Sequence, residues 1–263
     1  TMKRKDGLTK VIKWFLGDIV CKIERKGEDK VLVKVINYES NDEEFNEIAT
    51  DYRGNIKYTT MIKKICDFNS RTEFIIKILK KLLDENYDQQ IMILGHQKKQ
   101  LQYLYDAINH RTIATVGFYI GGMKEKDLKI SEGKKVIIGT YAMAEEGLDI
   151  KTLTTLIMAT PKVDVTQSVG RILRKKGTEG LVVDVVDQHC LFQRHFKKRK
   201  TFYRKQKFKI VETDMKGFME DNWTTIYDPQ KTVNAKLSKK SKSSANKKKD
   251  KVQEQLLQGI CLI

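Results

Sequence analysis

The chain has 263 residues, 40% of them hydrophobic, with 51 Lys and Arg against 34 Asp and Glu for a net charge of +17. That is apolar material enough for one good-sized α/β domain with extensions, which excludes a wholly disordered chain, and the excess of cations points to nucleic acid or another anionic surface. Cys21, Cys66, Cys190 and Cys261 are scattered without a C-x-x-C pair, which argues against a disulfide framework or a zinc ribbon. His189, Cys190 and His195 lack the second, separated ligand pair that a zinc site brings, so no metal site is expected. No apolar run is long enough to cross a bilayer, and the start lacks a signal-peptide core. The expectation is a soluble intracellular protein of a reducing compartment, without a membrane partner.

In chain order, residues 1–60 carry two β-like runs, "GDIVCKIER" and "KVLVKVINYES", joined by "KGED", which read as a β-hairpin. Trp14 and Phe15, in an apolar run before it, read as core or domain-interface residues. "TEFIIKILKKLLDEN" has apolar residues at helical spacing. From residue 91 short apolar strands, "IMILG", "TIATVG", "KVIIGT", "TTLIMAT" and "GLVVDVVD", alternate with "KQLQYLYDAI", "MKEKDLKIS" and "DVTQSVGRILRKK". Apolar strands, most of them followed by a helix, predict an α/β fold with a mostly parallel sheet covered on both faces and ligands at the carboxyl ends of its strands. A basic, acid-free segment, "CLFQRHFKKRKTFYRKQKFK", follows. "KLSKKSKSSANKKKDK" has the composition of a disordered linker, and "VQEQLLQGICLI" is a short apolar end. The expected boundaries are 1–60, 61–213 and a basic, partly disordered tail at 214–263.

The chemistry concentrates in two stretches. In "KVIIGTYAMAEEGLDI", Gly139 and Thr140 stand at a strand end where a phosphate can be held, Gly147 permits close approach, and Asp149 offers a carboxylate to a sugar hydroxyl. In "VTQSVGRILRKK", Gln167, Arg171 and Arg174 cluster on one side of a helix whose other side carries Val169, Ile172 and Leu173. Taken singly, an Arg pair is a solvated face and Gly-Thr a turn. Together, on successive units of one sheet, they suit a polyphosphate or a nucleic acid.

These stretches resemble motifs V and VI of superfamily 2 helicases, in the branch containing phage UvsW, the XPB repair helicase and the poxvirus-type transcription helicases of large DNA viruses. "KRKDGLTKVIKWFLG" is similar to the segment after motif III, "IMILGHQKKQLQYL" to the motif IV strand and helix, and "GFYIGG" to the loop that follows. "VVDVVDQHCLFQRHFKKRKTFY" resembles the closing strand and basic helix. The resemblance covers roughly residues 1 to 210 and implies the second, RecA-like motor domain of a DNA-directed, ATP-dependent helicase or translocase of viral origin, acting in the host cytoplasm, virus factory or virion.

By that resemblance Arg174 matches the arginine finger on the γ-phosphate of ATP, Arg171 its companion and Gln167 a nucleotide sensor. Gly147 and Asp149 lie beside the nucleotide, and Thr140 contacts the nucleic-acid backbone. A finger of this kind contributes about 10³ to 10⁵ in rate. Further candidates for the track are Gly121, Gly122 and Lys124, then Gln97 and Lys98. In the basic helix they are Arg199 and Arg204, beside Arg194, Lys197, Lys198 and Lys205, unless the helix packs its aromatics on the sheet and leaves its lysines solvated.

No G-x-x-x-x-G-K-[ST] and no Asp-Glu box at a strand end occurs. ATP and Mg²⁺ are therefore expected to bind mainly on an N-terminal RecA-like domain of the same protein. The opening "TMKRKDG" reads as a cut inside motif III, and the chain alone is expected to be inactive as an ATPase. RNA as the track is the weaker alternative. A noncatalytic nucleic-acid-binding module with a motor-like fold is the rival from another class.

Overall fold

The computed structural model describes residues 8–18, 20, 30–146, 150–172 and 179–231. In chain order these form α1 (Thr9–Leu16), β1 (Val31–Tyr38), α2 (Glu43–Asn46), α3 (Tyr58–Asp67), α4 (Asn69–Glu85), β2 (Gln90–Gly95), α5 (Lys98–His110), β3 (Val116–Tyr119) and α6 (Glu125–Glu132). The order continues with β4 (Val136–Thr140), α7 (Tyr141–Glu146), β5 (Leu153–Met158), α8 (Thr166–Ile172), β6 (Gly180–Asp187), α9 (Cys190–Lys205), β7 (Lys209–Asp214), α10 (Met215–Glu220) and β8 (Thr224–Tyr227). The strands make one eight-stranded sheet, β3-β4-β2-β5-β6-β1-β7-β8, parallel throughout except for the edge strand β8. This is the expected α/β architecture.

Alternation along each strand separates two cores. On β2, Ile91 and Ile93 point to one face and Met92 and Leu94 to the other; on β6, Val183 and Val185 oppose Val182 and Val186. The first face is covered by α3, α4 and α5. α4 alone lays Phe74, Ile75, Ile78, Leu79 and Leu82 onto it, each buried. Each such side chain contributes about 1.5–3 kcal/mol of apolar transfer. The second face takes α7, α8 and α9 through Tyr141, Ala144, Val165, Val169, Phe196 and Tyr203.

Several expectations are corrected. β1 does not form a hairpin with the run before it, because its two edges are occupied by β6 and β7, both parallel to it. Residues 21–29, most of the other expected strand, lie outside the described residues. The boundaries at 60 and 213 therefore separate no independent sheets: β1 precedes the first, β8 follows the second, and both belong to the one sheet. The strand expected in "TIATVG" begins later, at Val116. Trp14 and Phe15 are 80% and 83% exposed, so neither is a core residue of this domain. Residues 232–263, with the lysine-rich linker, lie outside the described residues, and among those described no helix is long and apolar enough to cross a membrane.

Candidate functional site at the carboxyl edge of the sheet

Because seven strands run the same way, their carboxyl ends share one edge, and three expected track segments meet there. Gly95 at the end of β2 pairs with Thr140 at the end of β4, and Tyr119 at the end of β3 pairs with Gly139. Gln97 and Lys98, Thr140, and the Gly121-Gly122 turn thus leave three adjacent strands, about 4.8 Å apart from one to the next. Gly121, Gly122, Lys98 and Lys124 are exposed, while Gln97 and Thr140 are half-buried. Gly122 has φ +91°, a conformation that requires glycine. Gly139 owes its place to packing: a Cβ there would meet the Tyr119 carbonyl oxygen at 2.8 Å and Met92 Cε at 3.0 Å.

Thr140 runs directly into α7, whose first residue anchors it. The buried Tyr141 hydroxyl donates to the Thr160 carbonyl at 2.5 Å, beyond the end of β5. Burial pushes this phenol far above its usual pKa, so it is a donor throughout the physiological range. One helical turn later Glu145 accepts from the Lys162 ammonium and, at 3.4 Å, from the hydroxyl of Ser168. Ser168 lies fully buried on α8 beside Gln167. The polar bonds of Glu145 and the apolar contacts of Val165 and Val169 therefore dock α8, the helix of the arginine segment, on α7, the helix that follows Thr140.

Gln167 is half-buried on α8, and positions 167 and 171 are i, i+4 on that helix, so they share a side of it. Gly147, Asp149 and Arg174 lie outside the described residues, as do the side chains of Arg171 and Ile172.

Arg199 is not a nucleic-acid contact. It is fully buried: Nε and Nη2 each donate at 2.8 Å to the two carboxylate oxygens of Asp184 on β6, and Nη1 donates to the Lys162 carbonyl at 2.9 Å. The Tyr203 hydroxyl donates to the same carboxylate at 3.1 Å. Phe196 and Tyr203 are likewise buried, so α9 packs its aromatics on the sheet. Arg194, Lys197, Lys198, Arg204 and Lys205 form its exposed side. Arg204 stacks over the Tyr227 ring with 5.7 Å to the centroid. It stands about 20 Å along the helix from the carboxyl edge, at 1.5 Å of rise per residue, so the structure does not bring it to the other candidates.

Sequence reasoning missed a cleft at the same edge. About 360 Å³ in volume, it opens between Tyr58 at the start of α3, His96 after β2, Lys162 and Asp164 before α8, and Leu191 and His195 on α9. His96 Nδ1 is 2.6 Å from the Thr160 hydroxyl. Desolvation, then the nearby Lys162 charge, drives the His96 imidazole toward its neutral form, although the residue as a whole remains exposed. Burial first, then Arg199, Lys198 and Arg194, depress His195 in the same direction. Nothing local in the sequence joins residues 58, 96 and 195.

No protein-family model matches the chain. It is 38% identical over 216 residues to "Putative ATP-dependent RNA helicase L396" of Acanthamoeba polyphaga mimivirus, a match covering 79% of this chain and 41% of that protein. The chain belongs to the superfamily 2 helicases, as a RecA-like domain. It spans less than half the length of the mimivirus protein. Among solved structures this helicase domain is similar to T4 UvsW, with TM-score 0.54 and 21% identity over 71% of this chain and 42% of that one. It is also similar to S. cerevisiae Dbp5 bound to RNA and ADP BeF3, with TM-score 0.53 and 14% identity over 84% of this chain and 52% of that one. At those identities the two structures speak for the fold.

Proposed function

We propose that this domain is the second half of an ATP-driven nucleic-acid motor. The observation that carries the reading is the docking of α8 on α7: the segment matching motif VI is held by Glu145 against the segment matching motif V, at the sheet edge where Thr140 and Gln97 emerge. A nucleic-acid backbone gripped at Thr140, Gly121, Gly122, Lys124, Gln97 and Lys98 would bear on α7, and through it on the arginine helix. Arg174 then serves as the finger on ATP·Mg²⁺ held by an N-terminal RecA-like domain, with Arg171, Gln167, Gly147 and Asp149 around the nucleotide. Permanent cations offset charge that develops on the transferring phosphoryl group.

In this reading the chain by itself hydrolyses no ATP at a meaningful rate, since it contains no P-loop. The likeness to the UvsW branch supports DNA as the track. RNA is the second reading, favoured by the name of the mimivirus relative. The test is ATP hydrolysis by the full-length protein, wild type against Arg174→Ala, with single-stranded DNA, duplex DNA and RNA as activators. Loss of about a thousandfold or more in turnover with binding retained supports the finger, and the best activator names the track. Unchanged turnover, or none in the wild type, favours a noncatalytic binding module.

A further inference from the structure

We infer that the cleft between Tyr58, His96 and His195 is a subsite for a single unstacked nucleobase of the bound strand. The inference rests on the proposed track and adds a contact to a base where the track holds only backbone.

Placement is the first argument. The cleft opens at the ends of β2, β5 and β6, and one of its walls, His96, is the residue immediately before Gln97. A backbone held at Gln97 and Lys98 has its next base beside this opening. Chemistry is the second. The walls present half-exposed rings, Tyr58 and His195 with centroids 5.4 Å apart and Tyr58 and His96 at 6.4 Å. Tyr58 is held in place by its hydroxyl, which donates to the Pro161 carbonyl at 3.3 Å. Aromatic and imidazole faces with polar edges are what unstacked bases use, and the volume falls at the lower end of small-ligand sites.

Charge is the third argument, and it decides against a phosphate. The formally charged lining groups are one cation and one anion, Lys162 and Asp164, and the Lys162 ammonium is already bonded to Glu145. A phosphate prefers the exposed lysines outside. Ring spacing further limits the pose. A plane inserted between two rings needs about 7 Å, two contacts of about 3.5 Å each. The Tyr58–His195 and Tyr58–His96 separations are both shorter, so the base lies over the rings and not between them.

The test uses this chain with short single-stranded DNA and RNA, each carrying one abasic residue moved along the strand, read by fluorescence anisotropy. A 4-thio-pyrimidine at each position is photocrosslinked in parallel and mapped by mass spectrometry. The expected result is a loss of roughly 5- to 100-fold at one abasic position only, with the crosslink at that position on peptides containing Tyr58, Leu191 or His195. Tyr58→Ala should erase that positional preference and Tyr58→Phe should keep it. Should the alanine variant not fold, the abasic scan and the crosslinks on the unaltered chain decide alone. Tight binding that is indifferent to every abasic position overturns the subsite and leaves the track standing. Adenosine monophosphate crosslinking at Tyr58, with the strand indifferent, also overturns it by assigning the cleft to a free nucleotide. No strand binding at any salt concentration removes the subsite and the track together.

Discussion

Arg199 and Asp184 form a doubly hydrogen-bonded ion pair in which neither side chain is exposed, and the Tyr203 hydroxyl bonds the same carboxylate. Three residues along the same strand, and therefore on the opposite face of the sheet, Asp187 is bonded by the buried Arg71 of α4, whose Nη1 also donates to the Ala159 carbonyl. β6 is thus clamped by an arginine from each helical layer. Both clamps sit toward the carboxyl edge, close under the segment that enters α8.

Removing one partner of such a pair leaves an uncompensated buried charge. Arg199→Ala is expected to destabilise the domain by about 3–5 kcal/mol, whereas Asp184→Leu combined with Arg199→Met should recover most of that loss. Urea denaturation of the wild type and the two variants checks it. A stability for Arg199→Ala within about 0.5 kcal/mol of the wild type would show that the arginine is not clamped as described.

On the exposed side of α9 the consequences are reversed. Lys197→Ala with Lys198→Ala should leave stability nearly unchanged and lower the magnitude of the salt slope of nucleic-acid binding by about one to two, one for each phosphate no longer neutralised. Binding titrations between low and moderate salt measure this. An unaltered slope would remove this part of the helix from the interface.

The glycines of the carboxyl edge should respond differently from one another. Gly139→Ala forces a methyl onto the Tyr119 carbonyl and Met92, with an expected cost of about 1–3 kcal/mol. Gly122→Ala has open space but a φ of +91°, and should cost about 1–2 kcal/mol through backbone strain. Gly121→Ala meets only Met143 Sδ, at 4.0 Å, and should be within about 0.5 kcal/mol of the wild type. Thermal denaturation of the three variants ranks them, and an equal loss at positions 121 and 122 would contradict the turn geometry.

A surface pair should give the fold a measurable acid sensitivity. Arg111 donates twice to Glu73, at 2.7 Å each, and Tyr103 donates at 2.6 Å. The Arg111 hydrogen bonds, chiefly, lower the Glu73 carboxyl from its ordinary 4.5 to about 2 against a smaller opposing effect of desolvation. A carboxylate depressed in the folded state stabilises above its ordinary value, and that contribution is lost as pH falls through its folded one. The denaturation midpoint of wild type should exceed that of Glu73→Gln near neutral pH, and the gap should close between about pH 5 and pH 2. A gap that stays constant across that range would show that ionised Glu73 is not the stabilising species.

How much of this was legible beforehand depended on whether the signal was local. The runs that became β2, β4, β5 and β6, and the helical spacing of α4 and α5, are written in consecutive residues, because burial on both faces demands near-continuous apolar strands. The motif-like order of "GTYAMAEEGLD" before "QSVGRILR" is equally local, and it carried the family. "VLVKVINY", by contrast, reads the same in a hairpin as in the middle of a parallel sheet. Only the vacancy between β6 and β7 decides which, and that lies in strands far along the chain, where Leu32 pairs with Leu181 on one side and Lys209 on the other.

Arg199 illustrates the same division at the site. In the sequence it is one cation among nine Lys and Arg over residues 194–209, indistinguishable from its solvated neighbours. In the fold the helical turn that buries Phe196 and Tyr203 also buries residue 199, and desolvation would expel it were Asp184 not opposite. The cleft of Tyr58, His96 and His195 had no local signal, since its walls come from α3, the β2 exit and α9. The sequence by itself determined the central strands and the sheet type, because those follow from residue spacing, and it carried the family through the resemblance of its motifs. Tertiary structure alone decided strand order, which charges are buried and which rings meet, because those depend on pairings between residues far apart in the chain.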